Sequence, residues 1–106
     1  MISDVVVGTG PEAVEGTTVA VKYVGGFYGT GEEFDSSWSR GADETLSVTL
    51  GAGQVIPGFE QGILGMQEGG RRMVTIPSDL GYGPNGQGPI PGGATLVFVI
   101  DLVQVS

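Results

Sequence analysis

Apolar and polar residues alternate in several short segments of the chain, and this pattern predicts β-strands. In residues 17–24, Val19, Val21 and Tyr23 occupy every second position, which is typical of a strand with one buried face. The strongest pattern of this kind lies near the end of the chain. This strongest pattern is in residues 94–103, and further strands are predicted at residues 1–7, 33–37, 45–50 and 71–76.

One segment, residues 57–64, has a helical pattern. Pro57 suits the first position of a helix, where no N–H donor is needed, and Gly65 suits the left-handed residue that ends one. Phe59 and Ile63 are four residues apart, so they lie on one face of the helix. A helix this short is not stable alone, and we expect a sheet to pack against that face.

The chain holds 21 glycines and 6 prolines, mostly between the patterned segments, which indicates many turns rather than disorder. Gly25 and Gly26 are expected to break or bulge the strand before them. Residues 78–93 form a long irregular loop of a kind that is often functional. Because most connections are too short for parallel crossovers, we predict one α+β domain, residues 1–106, with about five mainly antiparallel strands.

Composition excludes most catalytic chemistry, because the chain has no cysteine and no histidine. It therefore lacks a thiol nucleophile, the usual general base near neutral pH and the commonest zinc ligand. No P-loop, HExxH, GxSxG, CxxC or EF-hand pattern is present, so we expect no metal and no cofactor. The paired carboxylates at 32–33 and 43–44 fall in polar loops and are expected to be solvated surface.

The net charge of −8, with four basic residues, provides no basic footprint for nucleic acid or for an anionic membrane. Residues 1–8 contain neither a basic region nor an apolar region of a secretory signal. No apolar run is long enough to span a bilayer. We therefore expect a soluble, monomeric, cytoplasmic protein.

Aromatic and aliphatic residues with few polar companions remain as candidates for a binding pocket, although each taken singly is more often a core residue. Asp35 and Arg40 flank two serines beside Phe34, in a chain with few arginines. They are either part of a site or a surface ion pair worth under ~1 kcal/mol. The pocket candidates are Tyr23, Phe34, Val55, Ile56, Phe59, Tyr82, Ile90 and Phe98.

Several motifs occur together in one order: Phe34-Asp35-Ser36-Ser37, Val55-Ile56-Pro57-Gly58-Phe59, Tyr82-Gly83, Ile90-Pro91 and Ala94-Thr95-Leu96-Val97-Phe98. In this order and spacing the chain resembles the FK506-binding-protein family of peptidyl-prolyl cis-trans isomerases, from about Gly16 to Val105. The resemblance implies a sheet of five or six antiparallel strands curled around one short helix. It also implies proline-containing polypeptides as partners and FK506- or rapamycin-type macrolides as ligands.

The resemblance assigns roles to particular residues of this chain. Phe59 would form the pocket floor, and Ile90 would project from the long loop. Asp35 would lie at the rim, held by Tyr23 and Arg40. The Tyr82 hydroxyl and the Ile56 N–H would donate hydrogen bonds to substrate carbonyls. The walls would be Tyr23, Phe34, Val55, Ile56, Tyr82 and Phe98.

The chain departs from the commonest family pattern at a few positions. Phe59 stands in place of a tryptophan, and Leu46, also assigned to substrate binding, stands where an aromatic wall residue is common. Gln87 stands where histidine is frequent, and Trp38 has no matching role. Three alternatives to an isomerase remain: a binding module without catalysis, a fragment of a larger isomerase, and an unrelated carrier of a small ligand.

Overall fold

Six strands form one antiparallel sheet in the computed structural model, which describes residues 2–37, 41, 44–88 and 90–105. The order across the sheet is β1-β5-β6-β2-β3, and β4 pairs with β2 beside β3. A three-residue 3-10 turn, Ser78–Leu80, follows β5. The elements are β1 Ile2–Val6, β2 Thr18–Phe27, β3 Glu33–Ser36, β4 Leu46–Thr49, α1 Pro57–Ile63, β5 Arg71–Ile76 and β6 Leu96–Val105.

The two ten-residue strands β2 and β6 are paired at the centre of the sheet, and both show the alternation that the sequence predicts. Val19, Val21 and Tyr23 are buried, as every second residue of a one-sided strand should be. The corresponding inward residues of β6 are Leu96, Phe98, Ile100 and Leu102. The predicted fold class is confirmed, and β6 lies two residues further along the chain than predicted.

The helix α1 packs so closely on β5 that it needs two glycines. A Cβ added at Gly58 would lie 2.5 Å from Cγ2 of Ile76, and one at Gly62 would lie 2.7 Å from Cγ2 of Val74. Glycine disfavours a helix by about 1 kcal/mol per residue, so Gly58 and Gly62 make α1 locally less stable. They are needed because a side chain at either position would prevent the helix from packing this closely on the sheet. That approach buries Phe59 and Ile63, as the sequence predicts.

The end of α1 is held by an arginine from the sheet. Nη1 of Arg72 donates to the carbonyls of Gly62 and Leu64, both at 3.0 Å, and its Nε donates to Oδ1 of Asp4 at 2.6 Å. The last carbonyls of a helix have no partner within the helix, and a cation is favourable there. Gly65 has a φ of 87°, the left-handed stop that the sequence predicts.

The long loop between β5 and β6 is ordered by contacts of its own backbone. The bridge between Gln87 and Ile90 folds it back on itself. A Cβ at Gly86 would lie 2.1 Å from the Ile90 carbonyl oxygen, and one at Gly92 would lie 1.9 Å from that of Pro84. The loop therefore crosses itself at glycines.

No helix in the described part of the chain has the length and apolarity to cross a bilayer.

Candidate active site

Three aromatic rings from three elements meet on the inner face of the sheet. The ring of Phe98 lies 5.1 Å from that of Phe59 and 6.2 Å from that of Tyr23, and the Tyr23 and Phe59 rings are 5.6 Å apart. The two contacts of Phe59 are edge-to-face, at 85° and 86°, an arrangement that the ring quadrupoles favour. All three rings are buried, so they form a rigid aromatic floor.

A second pair of rings extends this floor toward the edge of the sheet. Phe34 on β3 packs edge-to-face on Phe98 at 5.6 Å, and Phe27 at the end of β2 lies 5.0 Å from Phe34. Phe34 and Phe27 are only partly buried. All four phenylalanines of the chain thus belong to one cluster, which is exposed to solvent toward β3.

A bulge directs two successive residues of β3 toward this cluster. Gly25 pairs with Asp35 while Gly26 pairs with Glu33, so the register of β2 and β3 shifts between the two glycines. In a regular strand Phe34 and Asp35 would point to opposite faces, whereas here both contact inner-face residues. The register skips Phe34, so the bulge lies in β3 opposite the two glycines, and β2 continues through both of them.

Gly25 also provides the space in which the rings meet. A Cβ at this position would lie 2.6 Å from Cε1 of Phe98 and 2.9 Å from Cζ of Phe34. Its φ is not positive, so the constraint is the volume of a side chain rather than the backbone conformation. Two phenylalanines of the site take the place of the missing side chain.

Asp35 accepts hydrogen bonds from two of the described residues. The Tyr23 hydroxyl donates to its Oδ2 at 2.7 Å, and the backbone N–H of Ser36 donates to its Oδ1 at 2.8 Å. The carboxylate is half-buried and lies above the aromatic floor through its bond to Tyr23. Its other expected partner, Arg40, lies outside the described residues, as does Trp38.

Burial and the charge of Asp35 influence the pKa of Tyr82 on the long loop. Partial burial, and then the negative charge of Asp35, raise the pKa of the Tyr82 phenol above its usual value. The hydroxyl therefore keeps its proton, and remains a hydrogen-bond donor, at neutral pH. The Tyr82 side chain itself packs against the hydrophobic core.

Ile56 immediately precedes α1 and presents an unused donor. Its carbonyl accepts from the backbone N–H groups of Phe59 at 3.0 Å and Glu60 at 3.3 Å, which fixes the residue at the helix start. Within the described part of the chain, its own N–H has no hydrogen-bond acceptor. The side chains of Val55 and Ile56 are half-buried and pack against the hydrophobic core that contains the aromatic residues.

Leu46 and Ile90 pack against the same core from two other directions. Leu46 opens β4 and is half-buried, whereas Ile90 is only 7% exposed and is turned inward by the folded loop. Every predicted site residue that the structure describes therefore belongs to, or packs against, the hydrophobic core of the domain, apart from Asp35, which is bonded to Tyr23 of that core. Its centre is buried, and its margin, formed by Phe34, Asp35, Leu46, Val55, Ile56 and Tyr82, is half-buried.

Sequence reasoning missed some residues that shape this site. Phe27 was not among the candidates, although its position at the end of an alternating strand beside an aromatic-rich hairpin was a signal. The buried Ser37 hydroxyl accepts from the backbone N–H of Tyr23 at 2.9 Å and donates to its carbonyl at 3.3 Å. It thereby pairs β2 with the end of β3, a role that no local sequence pattern indicates.

The site offers rings, two donors and one carboxylate, and no reactive group. Within residues 2–37, 41, 44–88 and 90–105, no group of three or more acidic residues is arranged to hold a metal ion. Such a site suits binding of an apolar group with nearby carbonyls, rather than nucleophilic attack.

Comparison with known proteins decides the family. A family model described as FKBP-type peptidyl-prolyl cis-trans isomerase matches residues 10–103. The chain belongs to this family. An FK506-binding protein of Streptomyces anulatus is 54% identical over 106 residues, covering 98% of this chain and 84% of that protein. A probable FK506-binding protein of Corynebacterium glutamicum is 52% identical over 104 residues, covering 98% and 85%.

Solved FKBP structures have the same fold. The crystal structure of AtFKBP13 matches with a TM-score of 0.90 at 38% identity, covering 99% of this chain and 91% of that one. FkpA from Escherichia coli matches with a TM-score of 0.89 at 38% identity, and the match covers 99% of this chain and 47% of FkpA. The resemblance and the fold inferred from the sequence are therefore both confirmed.

We predict that Gly25→Ala damages the site of this FKBP-type domain. The added methyl group has to displace the Phe34 and Phe98 rings, and a shift of about 1 Å in a positioned group costs up to roughly a hundredfold in rate. We expect kcat/KM on an X–Pro peptide to fall about ten- to a hundredfold, with altered near-UV circular dichroism from the rings.

Gly26→Ala is the matched control, because its Cβ meets nothing closer than the Glu32 carbonyl oxygen at 3.3 Å. It should retain most of the activity. Wild-type kcat/KM in Gly25→Ala would show that the contact between Phe34 and Phe98 does not define the site.

Proposed function

We propose that the aromatic cluster is the site at which this chain accelerates rotation about peptide bonds that precede proline. The observation that carries this proposal is the convergence of the Tyr23, Phe34, Phe59 and Phe98 rings, with the carboxylate of Asp35 held by the Tyr23 hydroxyl. The proline ring of a substrate binds at the aromatic residues, and the flanking chain passes between α1 and the long loop.

Rotation of an amide is slow because it breaks the resonance of the peptide bond, at a cost of about 18–20 kcal/mol. For an X–Pro bond the two isomers are close in energy but exchange in tens of seconds or more. The twisted amide has lost C–N double-bond character, so its carbonyl oxygen carries less negative charge than in the planar form. An apolar aromatic pocket favours it over the planar amide, and catalysis is differential binding.

The polar groups of the site have separate roles in this proposal. The N–H of Ile56 and the hydroxyl of Tyr82 donate to carbonyls of the substrate chain and fix its orientation. Asp35, held by the Tyr23 hydroxyl, lies near the carbonyl that rotates. Its negative charge repels the planar amide oxygen more than the twisted one, which lowers the barrier.

The remaining residues set the shape of the site. Phe59 forms the floor, and Val55 and Leu46 form walls on the α1 and β4 sides. Ile90 covers the proline from the loop, and Arg40 contributes to substrate binding. The macrolides FK506 and rapamycin bind in the same place, since relatives of this chain are called FK506-binding proteins.

We also propose a setting for the reaction. Residues 1–106 act as one domain, without a cofactor and as a monomer, on proline-containing polypeptides that are folding in the cytoplasm. Nucleic acid is not a partner, because the chain has a net charge of −8.

Asp35→Ala is predicted to lower catalysis without unfolding the protein. Loss of one charge interaction of about 1.4 kcal/mol in the transition state corresponds to about a tenfold fall in kcat/KM. The measurement is the catalysed cis–trans exchange of an X–Pro peptide, together with the melting temperature. Glu33→Ala removes an exposed carboxylate two residues away and should have no effect. Equal activity of Asp35→Ala and wild type would remove the carboxylate from the mechanism.

Tyr82→Phe is predicted to weaken macrolide binding through the loss of one hydrogen bond. Such a bond is worth about 0.5–1.5 kcal/mol, so calorimetry should show Kd rising roughly two- to tenfold with an unchanged melting temperature. An unchanged Kd would mean that the Tyr82 hydroxyl donates to neither ligand nor substrate.

A further inference from the structure

A second concave surface adjoins the proposed site on the side of the hairpin between β2 and β3. It is an open groove of about 450 Å³ between this hairpin and the end of the long loop. Phe27, Tyr28 and Glu32 line it from the hairpin, and Pro91 and Ala94 line it from the loop. The sequence motifs supply Pro91 and Ala94 on its loop side, but no motif includes the hairpin residues Phe27, Tyr28 and Glu32.

The aromatic residue at its margin is exposed although its backbone is fixed. The Tyr28 side chain is 67% exposed, while its N–H donates to the Thr95 carbonyl at 3.0 Å and thereby ties the hairpin to the loop. The Phe27 N–H also donates to the Glu32 carbonyl at 3.0 Å, which closes the hairpin. These bonds hold the backbone of both walls, so the groove does not depend on a ligand for its shape, and an exposed tyrosine on a fixed backbone is typical of recognition surfaces.

The groove is continuous with the proposed site. The Phe27 ring lines the groove and lies 5.0 Å from the ring of Phe34, which is a wall of the site. On the opposite side, Pro91 directly follows the buried Ile90, and Ala94 packs against the core. One aromatic ring therefore separates the two surfaces. An extended chain advances about 3.3–3.6 Å per residue, so a polypeptide bound in the site reaches the groove within about two to four residues.

The charge of the groove favours a cation. The exposed Glu32 lies at its margin, and no lysine or arginine is among the described residues that line it. The described arginines are paired elsewhere, Arg71 with Asp101 and Arg72 with Asp4. Two aromatic rings beside a carboxylate form a site in which an ammonium or guanidinium group gains both a ring contact and an ion pair.

We propose that this groove binds a lysine or arginine side chain of the polypeptide substrate, about two to four residues from the proline. The aliphatic part of the side chain lies on Phe27 and Pro91, and its charged end lies between the Tyr28 ring and the Glu32 carboxylate. The inference rests on the proposed function, because the polypeptide whose side chain enters the groove is held by its proline in the proposed site.

The test compares X–Pro peptides that differ by one residue. Lysine, glutamine or glutamate is placed at each position up to four residues on either side of the proline. Both kcat/KM for isomerisation and Kd by fluorescence anisotropy of labelled peptide are measured. Wild type should favour lysine over glutamine about two- to fivefold at one or two positions, the range of a solvent-exposed cation–π contact. Raising the salt concentration should reduce this preference.

Variants separate the charge from the ring. Glu32→Gln and Tyr28→Leu should each remove most of the lysine preference while leaving kcat/KM on the glutamine peptide unchanged, and Tyr28→Phe should keep it because the ring remains. Glu33→Gln, which removes an equal charge at the next residue, should behave as wild type.

The outcomes distinguish failure of the groove from failure of the isomerase. Activity on all peptides with no lysine preference at any position would overturn the groove proposal and leave the proposed function standing. Absence of isomerisation with every peptide would overturn both. Self-association of the wild-type protein that Tyr28→Leu abolishes, without any peptide preference, would assign the groove to a second copy of the chain and would likewise overturn the proposal.

Discussion

The packing of Phe98 against three other rings is the contact on which the site depends. Its ring meets Tyr23, Phe34 and Phe59 at 5.1–6.2 Å, and these residues come from β2, β3 and α1. One side chain on the central strand β6 thus joins β2 and β3, which lie on the same side of that strand, to the helix. Edge-to-face ring pairs contribute about 0.5–1.5 kcal/mol each beyond burial, so the floor is held more firmly than aliphatic packing would hold it.

Missing side chains make this packing possible. Gly25 leaves the space that the Phe34 and Phe98 rings fill, and Gly58 and Gly62 bring α1 down onto β5 so that Phe59 reaches the floor. The bulge beside Gly25 then turns both Phe34 and Asp35 inward. The rings and the carboxylate fit on one small surface because glycines in β2 and α1 have no side chains, and the neighbouring residues fill the space that side chains would occupy.

Local periodicity predicted the strands and the helix well, because burial on one face dictates the alternation in β2 and β6. It could not predict which strands pair or that Arg72 caps α1, since both depend on contacts between distant residues. The aromatic candidates came from composition and were assembled into a site by the resemblance. Phe27 and the groove beside Tyr28 were missed, because a hairpin tip has no repeating pattern to read. The role of Ser37 was missed because its bond to Tyr23 joins residues that are distant in the sequence.

The measurement that tests the central claim most directly is the exchange rate of an X–Pro peptide by NMR, with catalytic amounts of the protein and increasing amounts of an FK506-type macrolide. The account predicts acceleration over the uncatalysed exchange of tens of seconds, abolished once one equivalent of macrolide is bound. Folded protein that binds the macrolide but does not accelerate exchange would contradict it, and would make the aromatic cluster a binding surface without catalysis.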